Sequence, residues 1–156
     1  MLLTYELFDL SDTEDIAKYI ALSVKKGLVI TLNGNLGAGK TTLTRSILRS
    51  IGINGSIKSP TFTLVEPYEI NNLKIFHFDL YRFSDPEEWF EAGFDEYFES
   101  DSICFIEWAE KAVTLIPHID WQINIDLIDD KRILNINTFT ALGESCLKNL
   151  IKSVDN

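Results

Sequence analysis

Gly34-Asn35-Leu36-Gly37-Ala38-Gly39-Lys40-Thr41 fits G-x-x-x-x-G-K-[ST] at every specified position. No other stretch limits the fold so tightly. The pattern works where a strand runs into a loop and the loop into a helix. Only then do inward-facing backbone N–H groups and the positive end of a helix meet at one point. The flanks supply that context. Leu28-Val29-Ile30-Thr31-Leu32 is short and rich in β-branched residues, and Lys40–Ser50 carries Leu43 and Ile47, with Ile51 beyond, on one helical face. With glycine at about 7% of residues, a chance match in a chain this long is expected roughly once in a few hundred sequences.

The loop nominates Asn35, Leu36, Gly37, Ala38, Gly39, Lys40, Thr41 and Thr42 as contacts for the phosphates of a nucleotide. Lys40 would set a positive charge against the β- and γ-phosphates, and the Thr41 hydroxyl would be a ligand of Mg²⁺. Guanine-specific GTPases carry an Asn/Thr-Lys-x-Asp element. None follows the loop, which favours ATP.

Such a loop needs an acid at the end of a neighbouring strand to hold the metal shell. Glu107 ends the apolar run Ser102-Ile103-Cys104-Phe105-Ile106, which suits a strand buried on both faces. Asp79 ends Ile75-Phe76-His77-Phe78. Glu107 is preferred for the metal, together with Thr41. Asp79 then falls near the γ-phosphate or the attacking water. Lys40, Asp79 and Glu107 form the expected catalytic set. His77 alternates with apolar neighbours and reads as a packed histidine rather than a base. Ser59-Pro60-Thr61-Phe62-Thr63 sets hydroxyls around a proline. It is either a segment that senses the γ-phosphate or an ordinary entry to an edge strand.

Ser11-Asp12-Thr13-Glu14 reads as a capping box with Ser11 as N-cap, opening a helix through Ile16, Ala17, Ile20 and Val24. Ile57–Glu66 looks extended. Asn71-Asn72 is the expected turn of a hairpin between Thr61–Tyr68 and Leu73–Leu80. Asp85-Pro86-Glu87-Glu88 opens a short helix. Trp121–Ile128 and Ile133–Phe139 read as a second hairpin around Asp129-Asp130-Lys131, and Leu142–Ile151 as a closing helix. The expected fold is α/β and P-loop NTPase-like. It has a central, mostly parallel sheet with antiparallel additions and flanking helices, in a single domain over residues 1–156.

Composition narrows the role. Lys+Arg is 14 against Asp+Glu 24, a net charge of −10, which argues against a chain that grips nucleic acid alone. Met1-Leu2-Leu3-Thr4-Tyr5-Glu6 has no basic n-region, and no run approaches the roughly 20 apolar residues of a membrane helix. Cys104 and Cys146 have no metal spacing and read as reduced structural thiols. A cytoplasmic protein is the simplest expectation.

Four blocks in order carry a resemblance over about residues 10 to 140: the glycine loop through Thr42, Ser59-Pro60-Thr61-Phe62-Thr63-Leu64-Val65 with Tyr68, His77-Phe78-Asp79-Leu80-Tyr81-Arg82, and Ile106-Glu107-Trp108. The chain resembles TsaE, the P-loop ATPase family of bacterial tRNA threonylcarbamoyladenosine biosynthesis. The resemblance implies a small ATPase that uses ATP and Mg²⁺ and joins a heterodimer of TsaB and TsaD. It implies that TsaD transfers the threonylcarbamoyl group to adenosine 37 and that the ATPase meets tRNA only through its partners. It implies that Thr41 and Glu107 hold Mg²⁺, that Lys40 binds phosphate, that Asp79 and Trp108 are needed, and that Thr13 and Arg132 lie near the nucleotide. The chain departs at Ala109, where the family often has proline after Glu-Trp.

Two other readings stand beside that one. A small-molecule P-loop kinase would suit the length. It would need a lid with several arginines, and only Arg45, Arg49, Arg82 and Arg132 exist. A non-hydrolysing, nucleotide-gated interaction module would use the Ser59–Thr63 segment as its sensor.

Overall fold

The computed structural model describes residues Met1–Asn156. The strands are β1 (Leu2–Leu7), β2 (Val29–Asn33), β3 (Val65–Ile70), β4 (Leu73–Asp79), β5 (Ser102–Glu107), β6 (Trp121–Ile128) and β7 (Lys131–Thr138). The helices are α1 (Leu10–Ser23), α2 (Lys40–Ile51), α3 (Pro86–Glu91) and α4 (Ala141–Asp155), with 3-10 turns at Phe94–Tyr97 and Ala109–Ala112.

One sheet joins all the strands in the order β1-β7-β6-β2-β5-β4-β3. The four central strands, β6-β2-β5-β4, are parallel. Both flanks are antiparallel, β6 with β7 and β7 with β1 on one side and β4 with β3 on the other. The sheet is therefore mixed, a central parallel block with antiparallel additions on both sides, as the sequence pattern leads one to expect. The β3–β4 and β6–β7 hairpins supply two of the antiparallel pairs, since a tight turn can only reverse the chain, and β1 adds the third.

Each face of the sheet packs its own core. One cluster joins Ile30, Leu32, Ile75 and Phe105 to apolar side chains of α1, α2 and α4. The other sets Phe76, Phe78, Cys104 and Ile106 against Trp89 of α3, Phe94 and the Ala109–Ala112 turn. Alternation along β4 and β5 assigns residues to these faces. Ile75, His77 and Asp79 look toward the α2 side, and Phe76 and Phe78 toward the aromatic side.

Several sequence expectations shift. α1 is capped by Asp9, not Ser11: the Asp9 carboxylate accepts the Asp12 N–H at 3.0 Å, and the Asp12 carboxylate accepts the Phe8 N–H at 2.8 Å. The reciprocal box thus sits two residues earlier, because an ionised carboxylate is a strong acceptor and Asp12 is placed to return the bond. The segment before β3 is a turn at Thr61–Thr63 rather than extended chain, and the strand starts only at Val65. β7 starts at Lys131, so the tight turn is Asp129-Asp130, with Asp129 at φ 55°. β1 has no counterpart among the elements the sequence predicts. No helix is long and apolar enough to cross a membrane.

Candidate functional site

The site grows from the C-terminal ends of the parallel strands, where β2 hands over to α2. β2 is buried through Val29–Leu32, and the glycine-rich loop turns at its end. A side chain at Gly34 would meet the Ile125 carbonyl oxygen of β6 at 2.7 Å. Gly39 takes φ +110° as the N-cap of α2 and offers no side-chain cap. The first N–H groups of α2 therefore point into the loop without a side-chain partner. Lys40, 6% exposed, folds back so that its Nζ donates to the Gly34 carbonyl at 2.9 Å.

The two expected acids meet there. β4 and β5 run parallel in a register that sets Asp79 beside Glu107. The Thr41 hydroxyl of α2 lies 3.0 and 3.1 Å from the two Glu107 oxygens. His77 Nε2 lies 2.7 Å from Glu107 Oε2. The Asp79 carboxylate accepts the Tyr81 N–H at 3.1 Å, while its own N–H donates to the Leu64 carbonyl at 2.9 Å.

Trp108 follows Glu107 in the left-handed region at φ 59°. That conformation is costly for a bulky residue, and it turns the ring over the Lys40 ammonium, 3.9 Å from the centroid. Tyr81 packs on Trp108 with centroids 4.9 Å apart. The 59–64 loop rims the same side. Ser59 and Thr61 hydroxyls bond at 2.8 Å, Leu64 holds φ 67°, and exposed Phe62 lies under the Arg82 guanidinium at 4.5 Å.

On the other flank of the loop lies a cavity of about 270 Å³ lined by Leu7, Thr13, Gly37, Gly39, Ile125 and Arg132. Arg132 Nε is buried with no hydrogen-bond partner. An unsatisfied buried guanidinium N–H is costly, so this donor is poised for an acceptor in the cavity.

The model of the threonylcarbamoyl adenosine biosynthesis protein TsaE matches residues 7–134. The chain belongs to the TsaE family. The TsaE of Haemophilus influenzae is 49% identical over 137 residues, which is 88% of this chain and 84% of that protein. The TsaE of Bacillus subtilis is 41% identical over 133 residues, 85% of this chain and 81% of that protein. A crystal structure of Bacillus subtilis YdiB superposes with a TM-score of 0.84 at 32% identity, over 100% of this chain and 97% of that one. TsaE proteins serve tRNA threonylcarbamoyladenosine biosynthesis, and membership places this chain in that tRNA-modifying system.

In this TsaE chain Asn35, Leu36, Gly37, Ala38, Gly39, Lys40, Thr41 and Thr42 form one continuous loop and helix start, with Asp79 and Glu107 beside it. Thr13 and Arg132, from α1 and β7, reach the loop's outer cavity. In the sequence His77 reads as a packed histidine; in the fold it is buried and also bonds Glu107 directly. Its two-residue offset from Asp79 was the available signal, since that spacing puts both on one face of a strand. Both cysteines are free and buried. Burial pushes the Cys104 thiol up to about 12, which marks it as inert.

Proposed function

We propose that this chain is a Mg²⁺-dependent, P-loop-type ATPase that acts with TsaB and TsaD partners and reaches tRNA through them. The observation that carries the reading is the Thr41–Glu107 contact. It ties the glycine-rich loop to the acid at the end of β5, and a metal-assisted phosphate site requires that pairing.

The residues fit the ligands. Thr41 Oγ1 and the Glu107 carboxylate are hard oxygen donors suited to Mg²⁺. No group of three or more His, Cys, Asp or Glu could enclose a metal ion. The protein would thus supply only part of the cation's shell, leaving the rest to phosphate oxygens and water, as Mg²⁺ prefers. When bound, the cation supplies neutralisation of phosphate charge. Lys40 and the loop N–H groups would stabilise charge that develops on the transferred phosphoryl group. Asp79, fixed by the Tyr81 N–H and registered beside Glu107, would orient the attacking water. Trp108 would cover Lys40 and keep water from its ammonium. Arg132 Nε and Thr13 would face the nucleotide from the outer cavity. The net charge of −10 supports the division of labour, since a basic partner surface would have to hold the tRNA.

ATP hydrolysis by the purified chain with Mg²⁺ tests the reading, alone and with TsaB, TsaD and tRNA. The expected result is slow turnover alone, faster turnover with partners, and loss of both in Lys40→Ala. Full-speed turnover indifferent to partners would refute the partner dependence. Tight ATP binding without stimulated hydrolysis would favour a nucleotide-gated module instead.

A further inference from the structure

His77 is a buried polar group that the proposed hydrolytic cycle leaves without a task. It sits in β4 between Phe76 and Phe78 and is 1% exposed. Its register partner on β5 is Phe105, so it reaches Glu107 diagonally across the parallel pair. The Glu107 carboxylate, 2% exposed, is thereby held by two groups. Thr41 Oγ1 touches both of its oxygens, at 3.0 and 3.1 Å, and His77 Nε2 takes Oε2 at 2.7 Å.

A ring nitrogen 2.7 Å from a carboxylate oxygen is best paired as an N–H donor, which assigns a proton to His77 Nε2. Nδ1 is left buried without a partner. An unpaired buried nitrogen is a cost that an apolar side chain at this strand position would not carry. The compensation is at the other nitrogen, where a short bond fixes the orientation of an acid. Glu107 Oε1 keeps one protein partner against two for Oε2, and so has the greater capacity to accept more.

We propose that His77 is a positioning residue for the divalent cation: through Nε2–H···Oε2 it fixes the Glu107 carboxylate against Thr41 and leaves Oε1 to serve the metal shell. The inference rests on the reading of Glu107 as a metal-holding acid. Outer partners of this kind set metal affinity by about 10–100-fold.

The experiment uses the full chain, with Mn²⁺ as a spectroscopically visible substitute for Mg²⁺, titrated by electron paramagnetic resonance in saturating ADP. His77→Gln keeps an N–H donor near the Nε2 position. His77→Met has a similar volume and no donor. The His77→Met variant should bind Mn²⁺ about 10–100-fold more weakly. The His77→Gln variant should stay much closer to wild type. ADP affinity in EDTA should be unchanged in both. Combined with Glu107→Ala, His77→Met should add no further loss. Should the His77→Met variant lack a cooperative melt, His77→Asn, whose shorter amide cannot span to Glu107, replaces it with the same expectation. Wild-type Mn²⁺ affinity in the donor-less variant, with Glu107→Ala impaired, would overturn this inference alone. Equal losses in His77→Gln and His77→Met would assign the effect to packing and overturn it too. No ADP-dependent Mn²⁺ binding by the wild type, or no effect of Glu107→Ala, would overturn the metal-site reading and this inference with it.

Discussion

Gly34→Ala adds one methyl group at the point where the glycine-rich loop crosses β6. That carbon would lie 2.7 Å from the Ile125 carbonyl oxygen and 3.0 Å from the Ala38 methyl. Ordinary contact begins at 3.4 Å, so the misfit against the carbonyl is 3.4 − 2.7 = 0.7 Å. Neither neighbour is the tip of a flexible side chain. One is the backbone of a paired strand and the other belongs to the loop itself. The loop must lift, and overpacking of this kind costs about 1–3 kcal/mol. Gly34 also holds φ +156°, a backbone conformation that L side chains rarely adopt, so the usual unfolded-state gain of Gly→Ala is outweighed by strain. The net loss is about 2 kcal/mol, or about 6 °C in melting temperature for a chain of this size. Lys40 Nζ is anchored on the Gly34 carbonyl at 2.9 Å, so the displacement should also weaken ADP binding by about tenfold, the worth of one charge-assisted hydrogen bond. Gly55→Ala is the control. Its added carbon meets nothing within 4 Å and its φ is ordinary, so the same substitution should raise the melting temperature by about 1–3 °C. Scanning calorimetry and ADP titration read both quantities. A Gly34→Ala protein that melts at or above wild type, alongside Gly55→Ala, would refute the steric argument.

Two further outcomes are expected. Arg132→Ala should weaken ADP binding about tenfold, as loss of a charged donor does, with little change in melting, because the buried Nε has no protein partner to lose; unchanged affinity by titration calorimetry would remove Arg132 from the site. Cys104 keeps its proton to about 12 in the folded state, against 9.0 for a free thiol. The unfolded chain therefore releases that proton first. The contribution to stability is whole below pH 9 and declines by about 1.4 kcal/mol per pH unit from there toward pH 12. Denaturant melts of wild type and Cys104→Ala across that window should show the shallower pH dependence in the variant; parallel curves would contradict it.

Some of this site is local in the sequence and some is not. Strand, glycine loop and helix were legible because the whole unit is contiguous, from Val29 to Ile51, and its pattern dictates its geometry. Glu107 and Asp79 were legible as strand-end acids, but their register is a property of β4 and β5 together. His77 was legible as a strand residue and not as a partner of Glu107, since nothing in its own neighbourhood names a side chain 30 residues away. β1 is not legible in the sequence because it is an edge strand, half exposed, whose partner β7 lies at the far end of the chain. Ser11 reads as the N-cap in the sequence because Ser-x-x-Glu and Asp-x-x-Asp overlap there, and the choice between them is set by the geometry with which the chain leaves β1.

The strict alternation along β4 also bears on which sequence changes this chain can survive. His77 and Asp79 look to one side, Phe76 and Phe78 to the other, and Phe78 stacks on Trp89 and Phe98 and meets Phe94 edge to face. Losing or gaining one residue inside the strand rotates everything beyond it by half a turn. An imidazole and a carboxylate would be driven among aromatic rings, and two phenylalanines would be turned toward the α2 face and the glycine loop. Length variation can therefore accumulate at the Asn71-Asn72 turn, at the far end of the hairpin, but not in the strand. A lineage cannot drift through a folded form whose β4 is out of step. For this part of the molecule, the loss of the site and the loss of the fold are the same event.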